Sequence, residues 1–197
     1  LTERGEMAGS LVFFDEALRL EPGSAKARYN RANAKLSMGD AAGALTDVEQ
    51  ALTEPAPPDE TAMMRMARAT MLIAAGDLAR GWDAYEVRLD PDYEEVTRFL
   101  ADRPRWTPGD DLAGRSLLVV GEQGLGDEVM FANLFPDLLQ ALGPDGQLTI
   151  ATEARLAPLF ARSFPAAQVV PHATFRHGHQ IVRAVPTLGS WEGVDLW

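Results

Sequence analysis

The feature that most constrains this chain is a spacing. Three segments align on their glycines: GEMAGSLVFFDEAL from Gly5, GDAAGALTDVEQAL from Gly39 and GDLARGWDAYEVRL from Gly76. The offsets are 34 and 37 residues, a period at which one helix–turn–helix unit stacks on the next. The longer interval is taken up by Pro55–Pro58, which reads as a loosened turn between units. Small residues stand where two helices must cross closely: Ser10 and Ala17 in the first copy, Ala44 and Ala51 in the second. A larger side chain fills the space between them: Phe14, Val48, then Tyr85. Pro22, Pro55 and Pro91 stop the second helix of each copy. Gly39-Asp40 and Gly76-Asp77 read as the turns within helix pairs.

This pattern resembles the tetratricopeptide repeat, with about two and a half copies over residues 1–90. The third copy departs from the family at Gly81 and Arg88, where small apolar residues are usual, and reads as a remodelled last repeat. The first copy holds only its second helix. Leu11, Phe13 and Phe14 are therefore expected to lack a partner, leaving upstream sequence, a homodimer contact or the C-terminal domain to cover them. In the family the first helices of the pairs line a groove. Arg28, Arg31, Lys35, Arg65 and Arg68 recur on those helices, and Arg28, Arg31 and Lys35 share one helix face. The resemblance implies a groove that takes an acidic segment of a partner protein. The plainer readings are a solvated charged face and a scaffold that packs on the second domain.

Residues 91–114 read as a linker. Tyr93–Ala101 is expected to form a short helix, and RPRWTPGDDLAG a surface connector pinned to a core by Trp106. Residues 115–197 then change period. SLLVVG, LTIAT and AQVVP are short apolar runs suited to buried parallel strands. Between them fall a helix over Asp127–Leu142 and another over Arg155–Ser163. The first carries Val129, Met130, Leu134, Leu138 and Leu142 near one face and is kinked or broken at Pro136. The second has Pro158 near its first turn, where proline is tolerated. Gln180–Val185 and Val194–Trp197 are further candidate strands. The expected fold class is multi-domain, α plus α/β, with helical hairpins followed by a Rossmann-like parallel α/β half-domain.

The chemistry is expected in GEQGLGD, Gly121–Asp127, between the first strand and its helix. Open α/β sheets place ligands at that end of a strand. Glu122, Gln123, Gly124 and Gly126 are the candidate substrate-binding residues. The two glycines are expected to let backbone approach a ligand and to take unusual dihedrals. The following helix start favours negative charge, and Asp127 suits both a helix cap and a cleft carboxylate. The spacing is G-x-x-G-x-G, neither the dinucleotide G-x-G-x-x-G nor a P-loop, and Glu153 is misplaced for a ribose contact. A nicotinamide-dependent oxidoreductase is the weaker reading.

The runs GWDAYEVR, RPRW and DDLAGRSLLVVGEQGLGDEVMFANLFPDLL resemble bacterial tetratricopeptide proteins fused to a glycosyltransferase domain of the heptosyltransferase-like GT-B group. The resemblance implies sugar transfer from a nucleotide-activated donor to a protein or glycan acceptor recruited by the repeats. It also implies that Leu125-Gly126-Asp127 matches the family's aspartate motif, making Asp127 the candidate general base. Glu122 either shares that role or holds the loop. A GT-B enzyme has two such halves, and the donor nucleotide sits mostly in the second. This chain is expected to be the N-terminal half alone, inactive without a longer parent. The alternative is a tetratricopeptide interaction module with a non-catalytic α/β domain.

Composition narrows the partners. Eighteen Lys and Arg against 29 Asp and Glu give a net charge of −11, which argues against nucleic acid. No apolar run reaches the roughly 20 residues needed to cross a bilayer, and no signal peptide opens the sequence, so a cytoplasmic location is expected. There is no cysteine, hence no disulfide, thiolate ligand or cysteine nucleophile. His172, His177 and His179 lie in or near PHATFRHGH. His177-x-His179 falls short of a metal-ligand set, so neither a metal nor a cofactor is expected.

Overall fold

A computed structural model describes residues 7–178, 180–189 and 191–197. The chain divides into two compact units, Leu1–Val96 and Thr97–Trp197. The first is built of helical hairpins: α1 (Met7–Leu20), α2 (Ala25–Ser37), α3 (Ala41–Ala51), α4 (Pro58–Ala74) and α5 (Leu78–Ala84), closed by a 3-10 turn over Tyr85–Leu89. Ala32, Ala44, Val48, Ala51, Met64 and Met71 form its core. The alanines let neighbouring helices approach, and the larger residues fill the spaces between them.

The turns follow from their residues. Gly39 and Gly76 have φ of 89° and 87°, a left-handed conformation that ends a helix and suits glycine. Asp40 then accepts a hydrogen bond from the Gly43 amide at 2.8 Å, and Asp77 one from the Arg80 amide at 3.4 Å, capping the next helices. The departures in the last copy have local causes. A Cβ on Gly81 would lie 2.6 Å from Ile73 Cγ1, so glycine permits the close crossing of α4 and α5. Arg88 lies over the Tyr85 ring, 5.3 Å from its centroid, and pairs with Glu86 at 3.0 Å. On α1, Phe13 is exposed as expected, together with Val12 and Leu20. Leu11 and Phe14 are half-buried rather than bare.

The second unit holds a parallel sheet of β2 (Ser116–Val120), β3 (Gln147–Thr152) and β4 (Gln168–Pro171), in that order. α6 (Leu125–Phe131) and α7 (Phe135–Leu142) cross from β2 to β3, and α8 (Ala157–Ser163) crosses from β3 to β4. Successive side chains alternate between faces. Leu117, Leu148 and Ile150 pack with Phe135, Leu142 and Phe160, while Leu118, Ala151 and Val170 pack with Val185 and Val194. Trp106 packs against the first of these groups, and its amide donates to the Trp197 carbonyl at 2.7 Å, pinning the connector.

A second sheet holds β1 (Thr97–Phe99), β6 (Gln180–Ala184) and β5 (Ala173–His177), with β1 parallel and β5 antiparallel to β6. Two expectations are corrected here, and the break expected in a third element is found. Tyr93–Ala101 is not a helix: its middle is β1, drawn into a strand by pairing with distant β6, where tertiary context overrides local preference. Val194–Trp197 is not a full strand, contributing a single parallel bridge from Leu196 to Leu117. The Asp127–Leu142 helix is broken as expected, into α6, a 3-10 turn over Ala132–Leu134, and α7; the break falls just before Pro136, which sits in the first turn of α7. The expected apolar face is also partly inverted. Val129, Met130 and Leu134 are each about half exposed, and α6 turns Glu128 inward instead.

Candidate functional site

Gly121–Asp127 leaves the carboxyl end of β2. β2 lies between β3 on one side and Leu196 on the other, where Leu118 donates to the Leu196 carbonyl at 2.9 Å. From β2 the chain moves to β3 and β4 on one side and returns to the other side only at Leu196, and open α/β sheets form a ligand crevice where the strand order reverses in this way. The loop is tied back by Gly121, whose amide donates to the Ala151 carbonyl at 2.8 Å.

Asp127 is half-buried at the start of α6, and its Oδ2 accepts from the Gly124 amide at 3.1 Å. Its other oxygen makes no hydrogen bond among the described residues. One oxygen thus caps the helix, and the second has a lone pair that can accept a further hydrogen bond or a proton. Gly124 has φ −81° and ψ 169°, and neither it nor Gly126 has positive φ, so the expected unusual dihedrals do not occur. Space, rather than conformation, distinguishes them. A Cβ on Gly126 would meet nothing within 4 Å, and one on Gly124 would meet only Asp127 Oδ2 at 3.4 Å. The constrained glycine is Gly121, where a Cβ would lie 2.5 Å from the Glu128 carboxyl carbon.

Glu122 and Gln123 enter through their backbone. Arg183 on β6 donates from Nη2 to the Glu122 carbonyl at 2.8 Å and to the Gln123 carbonyl at 3.4 Å. Arg183 is itself buried and lies against His172, whose Nε2 is 3.2 Å from Glu128 Oε1. Glu128 also accepts from the Thr152 hydroxyl and from the Glu153 amide. Burial pushes the Glu128 carboxyl up, but the hydrogen bonds from His172, Thr152 and Glu153 outweigh it and hold it below the ordinary carboxylate range. For Arg183 burial dominates and lowers the guanidinium below its usual value, against the pull of Glu128 and Glu122.

Sequence reasoning missed Glu128, His172, Thr152 and Arg183. The available signal was Arg183 inside QIVRA, a charge within an otherwise apolar strand run. Glu128, beside two apolar residues, carried the opposite signal.

The candidate cations of the first unit mostly have partners within that unit. Arg28 is buried, donating from Nη1 to Gln50 Oε1 at 2.9 Å and from Nη2 to the Pro22 carbonyl at 2.5 Å. Arg31 and Lys35 converge on buried Asp47 at 2.6 and 2.8 Å, and Arg31 also reaches Asp15. Arg68 pairs with Glu49 at 3.1 Å, and Arg65 is exposed on α4. Among the described residues, no three His, Asp or Glu side chains gather as a metal site. His177 is exposed at the end of β5, and His179 lies outside the described residues. No described helix is long and apolar enough to cross a membrane.

No protein-family model matches the chain. The chain is similar to Protein FlbA of Caulobacter vibrioides, with 49% identity over 193 residues. That match covers 98% of this chain and 32% of FlbA, so the chain spans about a third of the length of its curated relative.

Proposed function

We propose that this chain is the acceptor-side part of a sugar-transferring protein in which Asp127 takes the proton of an acceptor hydroxyl. The observation that carries the reading is the half-engaged carboxylate of Asp127 at the carboxyl end of β2, beside the open backbone of Gly124 and Gly126. As the acceptor oxygen attacks the anomeric carbon, its proton passes to the carboxylate and the bond from that carbon to the nucleotide's phosphate oxygen breaks. The donor nucleotide belongs to a second half outside this chain. The span of only a third of FlbA leaves room for one. The helical hairpins are tetratricopeptide repeats that recruit the acceptor, and exposed Arg65 is a cation open to an acidic segment.

The test is a transfer assay on the longer protein with nucleotide sugars. Asp127→Ala is expected to lower kcat by about 10²–10⁴-fold, the usual worth of a general base, while circular dichroism stays unchanged. A wild-type rate in that variant overturns the assignment. The second reading, an interaction module with a non-catalytic α/β unit, is favoured by the bond from the Gly124 amide to Asp127, because capping alone accounts for it. It predicts partner capture by the 197-residue chain and no nucleotide-sugar turnover by the longer protein.

A further inference from the structure

Glu128, His172 and Arg183 come from α6, the β4–β5 junction and β6, and no sequence-derived role uses any of them. The Glu128 and His172 side chains are 4% and 3% exposed, and Arg183 is 8% exposed. Ionisable groups so deeply placed cost more to desolvate than an apolar set of the same volume. Packing alone therefore gives no reason for them, and their hydrogen bonds do.

His172 stands between the two charges. Its Nε2 is 3.2 Å from Glu128 Oε1, and Arg183 Nη1 lies 2.5 Å from Nε2 and 3.2 Å from Nδ1. The ring edge that carries both nitrogens therefore faces the guanidinium, and one of those nitrogens also meets the carboxylate. Glu128 only accepts when ionised and Arg183 only donates, so a side chain able to do both stands between them.

We propose that Arg183 is a positioning residue for the Gly121–Asp127 loop, aligned through His172 by Glu128. Its Nη2 grips the loop by the Glu122 and Gln123 carbonyls, while its Nη1 is oriented by the imidazole. The loop's shape is thereby set from the second sheet as well as from β2. The importance of this to sugar transfer rests on the reading above, but the ordering of the loop does not.

The experiment is amide hydrogen exchange on the 197-residue protein, read at Gly121, Gly124, Asp127 and Glu128, whose amides are hydrogen-bonded. Arg183→Gln is expected to speed exchange there at least tenfold, with the first unit's amides unchanged. His172→Gln keeps a donor and an acceptor in one side chain and is expected to keep most of the protection. His172→Leu, which fills the space without the polarity, is expected to match Arg183→Gln. Equal exchange in Arg183→Gln and wild type overturns the proposal, as does equal protection in His172→Leu and His172→Gln. These readouts do not depend on turnover. A longer protein that transfers no sugar defeats the proposed function and leaves this inference standing.

Discussion

Single residues carry several of this protein's constraints, and glycine shows how differently one residue type is used. Gly81 is needed for space. A Cβ there would meet Ile73 Cγ1 at 2.6 Å and the Ile73 amide nitrogen at 3.0 Å, so backbone as well as side chain must move. Gly81→Ala is expected to cost about 1–3 kcal/mol, the usual range for overpacking. Gly9, inside α1 and exposed, has nothing within 4 Å of a built Cβ. Gly9→Ala is expected to stabilise by about 0.5–1 kcal/mol, since alanine loses less conformational freedom in a helix. Urea unfolding of the two variants checks both signs. Buried Asp47 is a different case, because it is the shared partner of Arg31 and Lys35. Asp47→Ala is expected to cost about 3 kcal/mol, at the low end for breaking a buried pair, because both cations keep some contact with water.

Elements show what was legible in the sequence and what was not. The helical hairpins were legible because period, turn and cap agree: Gly39-Asp40 and Gly76-Asp77 form the turns that their residue types require. The parallel strands β2, β3 and β4 were legible as short apolar runs. β1 was not, because three residues have little local preference and become a strand only through β6. The site was half legible. The loop's place beyond β2 follows from the strand–loop–helix order, whereas Arg183, distant in sequence, reaches it only through the fold. α6 was misread because Val129 and Met130 suggest an inward face that Glu128 occupies. The consequence is measurable. Met130→Lys is expected to change stability by no more than about 0.5 kcal/mol, as for an ordinary surface position, and thermal unfolding of that variant checks it.

At the scale of the whole molecule, the chain carries a net charge of −11, and each unit buries a carboxylate. Asp47 belongs to the first and Glu128 to the second. Burial raises both pKa values, but hydrogen bonds hold both below their ordinary values: Arg31 and Lys35 for Asp47, His172 and Thr152 for Glu128. A depressed folded-state pKa gives stability that is present above the unfolded value, near pH 4, and is lost as pH falls through the folded value. Both units are therefore expected to weaken in acid below the ordinary carboxylate range. Hydrogen exchange read separately in each unit checks this. Asp47→Asn is expected to flatten the acid dependence of the first unit only, and Glu128→Gln that of the second only.

The pairing of β1 with β6 also fixes an order of assembly. The helical hairpins close between neighbours in sequence and can form as each helix is completed. β1 is the first strand of its unit to be made, yet Thr97 pairs with Ile181, almost the full length of that unit away. During synthesis β1 must wait, unpaired, until β6 exists. The second unit therefore acquires its second sheet late, after every helix of the first unit has been synthesised.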